Sequence, residues 1–209
     1  APPATLISTR TQSLIPPSWA PALAGILTRS TGYDHLSRYR KHAGAVLRMG
    51  HLPLYCNRAV AEHAMMLWMA LLRRLPRQIQ QFDRFERDGL TGRECRDKTL
   101  LVVGVGNIGH EIIDIGRGLH MRALGVDPVR RWDDVDYVGF AEGAAAADVV
   151  VAAMNLTPAN QGFFDPERLA QLKPGAIFIN VARGELASAT GLLRQLEQGR
   201  AGRRGTGCV

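Results

Sequence analysis

Hydrophobic residues along this chain follow two alternating rhythms. Thr99–Val103, Arg122–Val126 and residues 149–153 and 176–180 are short, nearly continuous apolar runs, the pattern of strands buried on both faces. Between and after them, residues 108–119, 141–147, 166–171 and 188–198 repeat their apolar positions every three to four residues and read as helices, with a further short strand at 137–138. Such alternation predicts an α/β fold whose parallel sheet is covered by helices on both sides.

The first part of the chain is less regular. Residues 4–9, Gly25–Thr28 and 45–49 read as strands, with Pro16, Pro17 and Pro21 marking a loop and short helix between the first two. Residues 29–34 form a turn, and His35 sits at a helix start. A long helix then runs from Arg58 to Leu75, with Val60, Met65, Met66, Leu67, Trp68, Met69, Leu71 and Leu72 spread over nearly every face. A helix apolar all round must be buried, inside its own domain or against a second subunit. Pro76 is expected to bend or end it. These elements divide the chain into a domain over residues 1–56 and another over 57–209.

Composition narrows the function classes. With 209 residues, 46% hydrophobic and 22% charged, the chain can bury a core and is not expected to be disordered. Its net charge of +7 raises the question of a polyanion partner. The arginines are scattered along helices, without aromatic interleaving or a nucleic-acid motif, so a solvated basic surface is expected and no nucleic-acid partner. Three cysteines without paired spacing suggest neither a disulfide framework nor a zinc site, no metal is expected, and a reducing cytoplasmic setting fits. No apolar run approaches the ~18 residues of a membrane span. The chain opens on Ala1 within what reads as a continuing strand, which suggests a fragment.

Two motifs carry chemistry. Gly104-Val105-Gly106-Asn107-Ile108-Gly109 follows a strand and opens a helix. Its first glycine permits a tight turn, its second lets backbone approach a pyrophosphate, and its third lets helix pack on strand. The helix start adds N–H groups and partial positive charge for phosphate. The next strand ends in Asp127, 18 residues after Gly109, where a carboxylate accepts hydrogen bonds from adenosine ribose and repels a 2′-phosphate, selecting NAD over NADP. Arg130 and Arg131 nearby weaken that selection, and Asp127 also reads as a turn residue before Pro128. The second motif, Asn180-Val-Ala-Arg183-Gly-Glu185, follows the last clear strand. An arginine there offers a planar fork to a carboxylate and polarises an adjacent carbonyl; the alternative is a surface pair with Glu185.

These two motifs, with Thr31-Gly-Tyr-Asp-His35 and Tyr55-Cys-Asn-Arg-Ala-Val-Ala-Glu-His63, resemble the D-2-hydroxyacid dehydrogenases in order and spacing as far as Gly199. The resemblance implies a Rossmann-type doubly wound parallel sheet with a partial second Rossmann-like (flavodoxin-like) substrate domain. It implies NAD as cofactor, a small 2-hydroxy or 2-oxo acid as substrate, and a homodimer through the helix from Arg58 to Leu75. Arg183 matches the catalytic arginine, and Gly104, Gly106, Asn107, Ile108, Gly109, Asp127 and Ala182 the cofactor contacts. Thr31 and Gly32 match the loop that binds substrate carboxylate, and Tyr55 a tyrosine facing substrate, or else a loop-packing aromatic. His63 and His35 match structural positions, and Cys56 is a small loop residue. The family's acid–base histidine and its partner glutamate lie beyond the segment matching Gly199, so an incomplete chain with doubtful activity is expected. The alternative is a non-catalytic NAD(H)-binding interaction protein on the same fold.

Three places depart from the pattern. Met154-Asn155 stands where the family has an apolar residue and proline, and Ser188 where aspartate is common. The tail Arg203-Arg-Gly-Thr-Gly-Cys-Val209 lacks strand character, and one choice of codons read a base out of frame gives A-G-A-L-D-V, the family's usual strand. A frameshift at this point is therefore expected.

Overall fold

The computed structural model describes residues 5–43, 47–84, 87–197 and 207–208. The chain divides into two compact units, Ala1–Cys56 and Asn57–Val209.

The first unit holds a three-stranded parallel sheet of β1 (Leu6–Thr9), β2 (Gly25–Thr28) and β3 (Arg48–Gly50), in that order. A 3₁₀ turn at Pro17–Ala22 and the helix α1 (Asp34–Ala43) supply its cover. Ile7 and Ile26 lie in register on one face and pack with Ala20, Leu23, Leu36 and Leu47. The other face shows Leu27 38% and Leu6 66% exposed. The third strand thus begins at Arg48 rather than at residue 45, and the start expected for it falls on residues outside those described.

The second unit is built on a parallel sheet of β4 (Thr99–Val103), β5 (Arg122–Val126), β6 (Asp136–Tyr137), β7 (Val149–Ala152), β8 (Ile177–Asn180) and β9 (Gly207–Cys208). Spatial order is β6-β5-β4-β7-β8-β9. The chain therefore winds outward from β4 in one direction, returns, and winds outward in the other, which is the doubly wound Rossmann order. Alternation decides the two layers. Leu100, Val102, Val149, Val151, Ile177 and Ile179 face the helices α2 (Asn57–Leu72) and α4 (Asn107–Gly118). Leu101, Val103, Val150, Ala152 and Phe178 face the layer that holds α5 (Phe140–Ala146), α6 (Pro166–Ala170) and α7 (Ala189–Glu197).

The long helix differs from its sequence reading. α2 stops at Leu72, Arg74 takes the left-handed conformation at φ 56°, and α3 (Leu75–Gln81) starts afresh. A left-handed residue is a common helix terminator, and Pro76 then falls in the first turn of α3, where its missing N–H costs no helical bond. Nor is α2 buried all round. Ala61, Ala64, Trp68 and Leu72 form the buried stripe against α4 and β8, while Met66 is 50% exposed. Trp68 is fully buried, and truncating it to alanine is expected to cost about 3–5 kcal/mol.

The tail is a second correction. Gly207–Cys208 pairs with β8 through Ile179 and Asn180 as the edge strand β9. An open sheet edge offers backbone donors and acceptors to any extended segment, whatever its side chains. Residues 203–206, on which the frameshift expectation mostly falls, lie outside the described residues.

Candidate functional site

All strands of the large sheet are parallel, so the loops after β4, β7 and β8 leave from one edge. The winding reverses between β4 and β7, and it is outside such a reversal that open α/β sheets bind ligands. The loops after β4 and β8 start two strands apart, roughly 10 Å.

The three glycines after β4 do different work. Gly104 has φ +97°, and a Cβ on it would lie 2.5 Å from the Met154 backbone. On Gly109, a Cβ would fall 2.1 Å from the Gly104 carbonyl oxygen. The fold itself demands both. Gly106 has an ordinary φ of −81°, and a Cβ there would meet nothing within 4 Å. No described residue crowds that position, which leaves it open to the approach of a ligand. Gly106, at the N-cap of α4, contributes no side-chain cap, and a helix start carries N–H groups and partial positive charge that suit an anion. Asn107 and Ile108 are the first two residues of that helix, and Ile108 packs against the core below.

Asp127, at the end of β5, accepts from the Val105 amide at 2.8 Å through Oδ2 and from the Val129 amide at 2.8 Å through Oδ1. It is therefore a turn residue and a tie to the glycine loop at once. A carboxylate offers about four lone-pair sites, so those bonds leave acceptor capacity for ribose hydroxyls. Glycine loop, bare helix start and carboxylate together fit a dinucleotide. Arg130 lies over the Tyr137 ring, 5.8 Å from its centroid.

The Met154-Asn155 departure sits at the same edge. Asn160 Nδ2 donates to the Asn155 carbonyl at 2.7 Å, and its Oδ1 accepts from the Thr157 amide at 2.7 Å. Ser188 Oγ accepts from the Gly191 amide at 3.2 Å, which ties down the start of α7.

Arg183 follows β8 in extended conformation (φ −140°) and leads into a 3₁₀ turn at Gly184–Leu186. Asn180, only 3% exposed, holds this segment from both sides. Its Nδ2 donates to the Arg183 carbonyl at 2.8 Å, and its Oδ1 accepts from the Ala182 amide at 3.0 Å. Arg183 Nη1 donates to the Ala182 carbonyl at 2.9 Å. The motif was legible in the sequence, but the part Asn180 plays was not.

In the first unit, the loops after β2 and β3 converge. Thr31 Oγ1 donates to the Tyr55 carbonyl at 2.6 Å, and Ser30 Oγ donates to the Gly32 carbonyl at 2.8 Å. The three predicted residues of this unit, Thr31, Gly32 and Tyr55, therefore share one loop cluster, with Tyr55 55% exposed. Sequence reasoning missed His51 here. Its Nδ1 lies 3.1 Å from the Thr31 carbonyl, which only accepts, so Nδ1 carries the proton. The His51 ring also contacts Tyr33, with centroids 4.7 Å apart.

A cluster of His110, Asp114 and Asp134 has ligand atoms within 4.8 Å of one another. Arg117 supplies a cation there already, 2.9 Å from Asp134 and 3.6 Å from Asp114. The Arg117 guanidinium, with His110, holds the Asp134 carboxyl below the usual carboxylate range. The cluster reads as a surface charge network.

A doubly wound sheet with a glycine-rich turn at a helix start and an acidic residue ending the next strand is the arrangement of a dinucleotide-binding domain. Comparison with known proteins then narrows the class. Residues 65–206 match the family described as D-isomer specific 2-hydroxyacid dehydrogenase, NAD binding domain, and the chain belongs to that family. It is 32% identical to D-lactate dehydrogenase of Escherichia coli over 76% of this chain and 50% of that protein. With D-3-phosphoglycerate dehydrogenase 2, chloroplastic, of Arabidopsis thaliana it shares 35% identity over 68% of this chain and 24% of that one. Among solved structures, D-lactate dehydrogenase from Aquifex aeolicus, complexed with NAD and lactic acid, superposes with a TM-score of 0.85 at 30% identity, covering 96% of this chain and 63% of that one. The chain thus spans half or less of the length of these two curated relatives. NAD is the cofactor. Among the described residues, no helix is long and apolar enough to cross a membrane.

Proposed function

We propose that this chain contributes to NAD-dependent hydride transfer on small D-2-hydroxy and 2-oxo acids, with residues 57–209 holding the cofactor and residues 1–56 forming part of the substrate-binding domain. The observation that carries this is Gly106, the one glycine of its turn that the fold does not need, at the same sheet edge as Arg183. Bound NAD supplies or accepts the hydride at C2 of the acid. Gly104, Gly106, Asn107, Ile108 and Gly109 receive its pyrophosphate, Asp127 its adenosine ribose, and Ala182 its nicotinamide end. Arg183 holds the acid's carboxylate and polarises its carbonyl through its planar fork of donors. Within residues 1–56, Thr31 and Gly32 offer backbone N–H groups for a substrate carboxylate, and Tyr55, in the same loop cluster, is the tyrosine for substrate.

A homodimer through the stretch from Arg58 to Leu75 belongs to this reading. Met66 and Leu75, 50% and 45% exposed, support it by leaving apolar surface along that stretch. The free thiols of Cys56 and Cys95 are consistent with a reducing cytoplasmic compartment.

The test uses the 209-residue polypeptide. NADH titrated by fluorescence should saturate, and oxamate, a 2-oxo acid mimic, should bind the NADH complex. Arg183→Lys should leave NADH binding unchanged and weaken oxamate by about tenfold to a hundredfold, the scale of losing hydrogen bonds to a charged group. Oxamate binding equally well to Arg183→Lys would refute the substrate assignment.

A further inference from the structure

Val105, between the first two glycines, belongs to no ladder or helix, yet both of its peptide groups are held. Its N–H is taken by Asp127. Its carbonyl accepts from the indole Nε1 of Trp132 at 3.1 Å. Both partners come from the one segment after β5, and Trp132 is 27 residues away from Val105 in sequence. The side chain of Val105 is fully buried, beneath Gly125, where a Cβ would lie 2.9 Å from Val105 Cγ2.

Trp132 is in turn held in place. Its ring stacks on the imidazole of His110, with centroids 4.0 Å apart and planes at 23°. His110 Nε2 donates to the Asp134 carboxylate at 3.2 Å, and Arg117 donates to the same carboxylate at 2.9 Å. His110 lies in α4 and Asp134 two residues beyond Trp132, so the segment is anchored on the very helix whose start faces the ligand.

We propose that Trp132 is a positioning residue for the dinucleotide pyrophosphate, acting through the Val105 carbonyl. The physical link is the planar peptide bond. Among the described residues no peptide is cis, and in a trans peptide the N–H points opposite to the preceding C=O. Fixing the Val105 carbonyl on the indole therefore fixes the direction of the Gly106 N–H, one of the amides that a helix start leaves for an anion. Without that anchor the peptide can rotate, and each binding event must order it again. The proposal rests on the reading that the turn at Gly104–Gly109 receives the pyrophosphate.

The experiment compares ADP-ribose with adenosine, which lacks the pyrophosphate, by isothermal titration on the full chain. Trp132→Phe keeps a ring to stack on His110 while removing the N–H together with part of the indole. ADP-ribose affinity should fall about tenfold, the scale of one hydrogen bond, while adenosine affinity changes less than about twofold. Trp132→His, which returns a ring N–H, should recover part of the loss. If Trp132→Phe does not fold, Trp132→Leu, which also has no donor for the Val105 carbonyl, decides in its place: selective weakening of ADP-ribose supports the role, and wild-type affinity for both ligands overturns it. Unchanged ADP-ribose affinity in Trp132→Phe, or equal losses for both ligands, also overturns it. Wild-type chain that binds neither ligand would instead remove the cofactor reading itself, and this proposal with it.

Discussion

Replacing Gly106 with alanine separates what the glycine turn does for the fold from what it does for a ligand. The added methyl meets nothing within 4 Å, and φ −81° is open to any residue. The remaining cost is that of alanine at a helix N-cap, about 1 kcal/mol or less, which lowers Tm by roughly 2–4 °C in a chain this size. The same methyl occupies the face that a pyrophosphate must approach, so NADH binding should weaken at least about tenfold, or about 1.4 kcal/mol. Gly109→Ala provides the contrast. Its Cβ would overlap the Gly104 carbonyl oxygen at 2.1 Å, and helix and strand must separate to admit it. Overpacking of this kind costs about 1–3 kcal/mol or more. Thermal melts with and without NADH read both quantities, because a ligand at free concentration L that binds only the folded state stabilises it by RT ln(1 + L/Kd) and so raises Tm more the tighter it binds. Gly106→Ala should melt near wild type and lose most of the NADH-induced shift, whereas Gly109→Ala should melt early even without ligand. A Gly106→Ala chain that keeps the full shift would refute the argument that Gly106 is bare for the cofactor.

Two further outcomes follow from buried polar groups. Burial pushes the Asp148 carboxyl up, but the Lys173 ammonium, the Thr99 amide and Lys98 outweigh it and leave the group below its ordinary value. A depressed folded value contributes stability above the unfolded pKa near 4 and loses it as pH falls through the folded value. Wild type should therefore lose stability below about pH 4 more steeply than Asp148→Asn, and parallel acid melts of the two would count against this sign. Asn180→Asp keeps the acceptor for the Ala182 amide but removes the donor to the Arg183 carbonyl. We expect about 1–3 kcal/mol of destabilisation and weaker oxamate binding at nearly unchanged NADH affinity, checked by denaturant melts and titration; an equal loss for both ligands would mean that Asn180 does not act on the Arg183 turn.

Much of the large unit was legible because its signals are local. Contiguous apolar runs mark β4, β5, β7 and β8, and the glycine turn states its own geometry. The helix break at Arg74 was not legible, because the apolar rhythm continues through Leu75, and a proline inside such a rhythm reads equally as the end of one helix or the first turn of the next. Strand β9 was invisible because glycine and cysteine carry no strand pattern and the edge of β8 supplies the pairing. Trp132 and His51 were missed for a related reason: each bonds a backbone carbonyl 20 or more residues away, and no spacing rule connects them.

The amino-acid order alone determined which segments become strands, where a glycine-rich turn joins strand to helix, and which arginine and aspartate stand at strand ends, since each depends on residues within a few positions. Only the tertiary structure decided which glycine is bare for want of a neighbour, what holds Val105, and how Asn180 pins the turn that carries Arg183. Those facts depend on contacts between segments distant in sequence, and close packing in three dimensions is what brings such segments together.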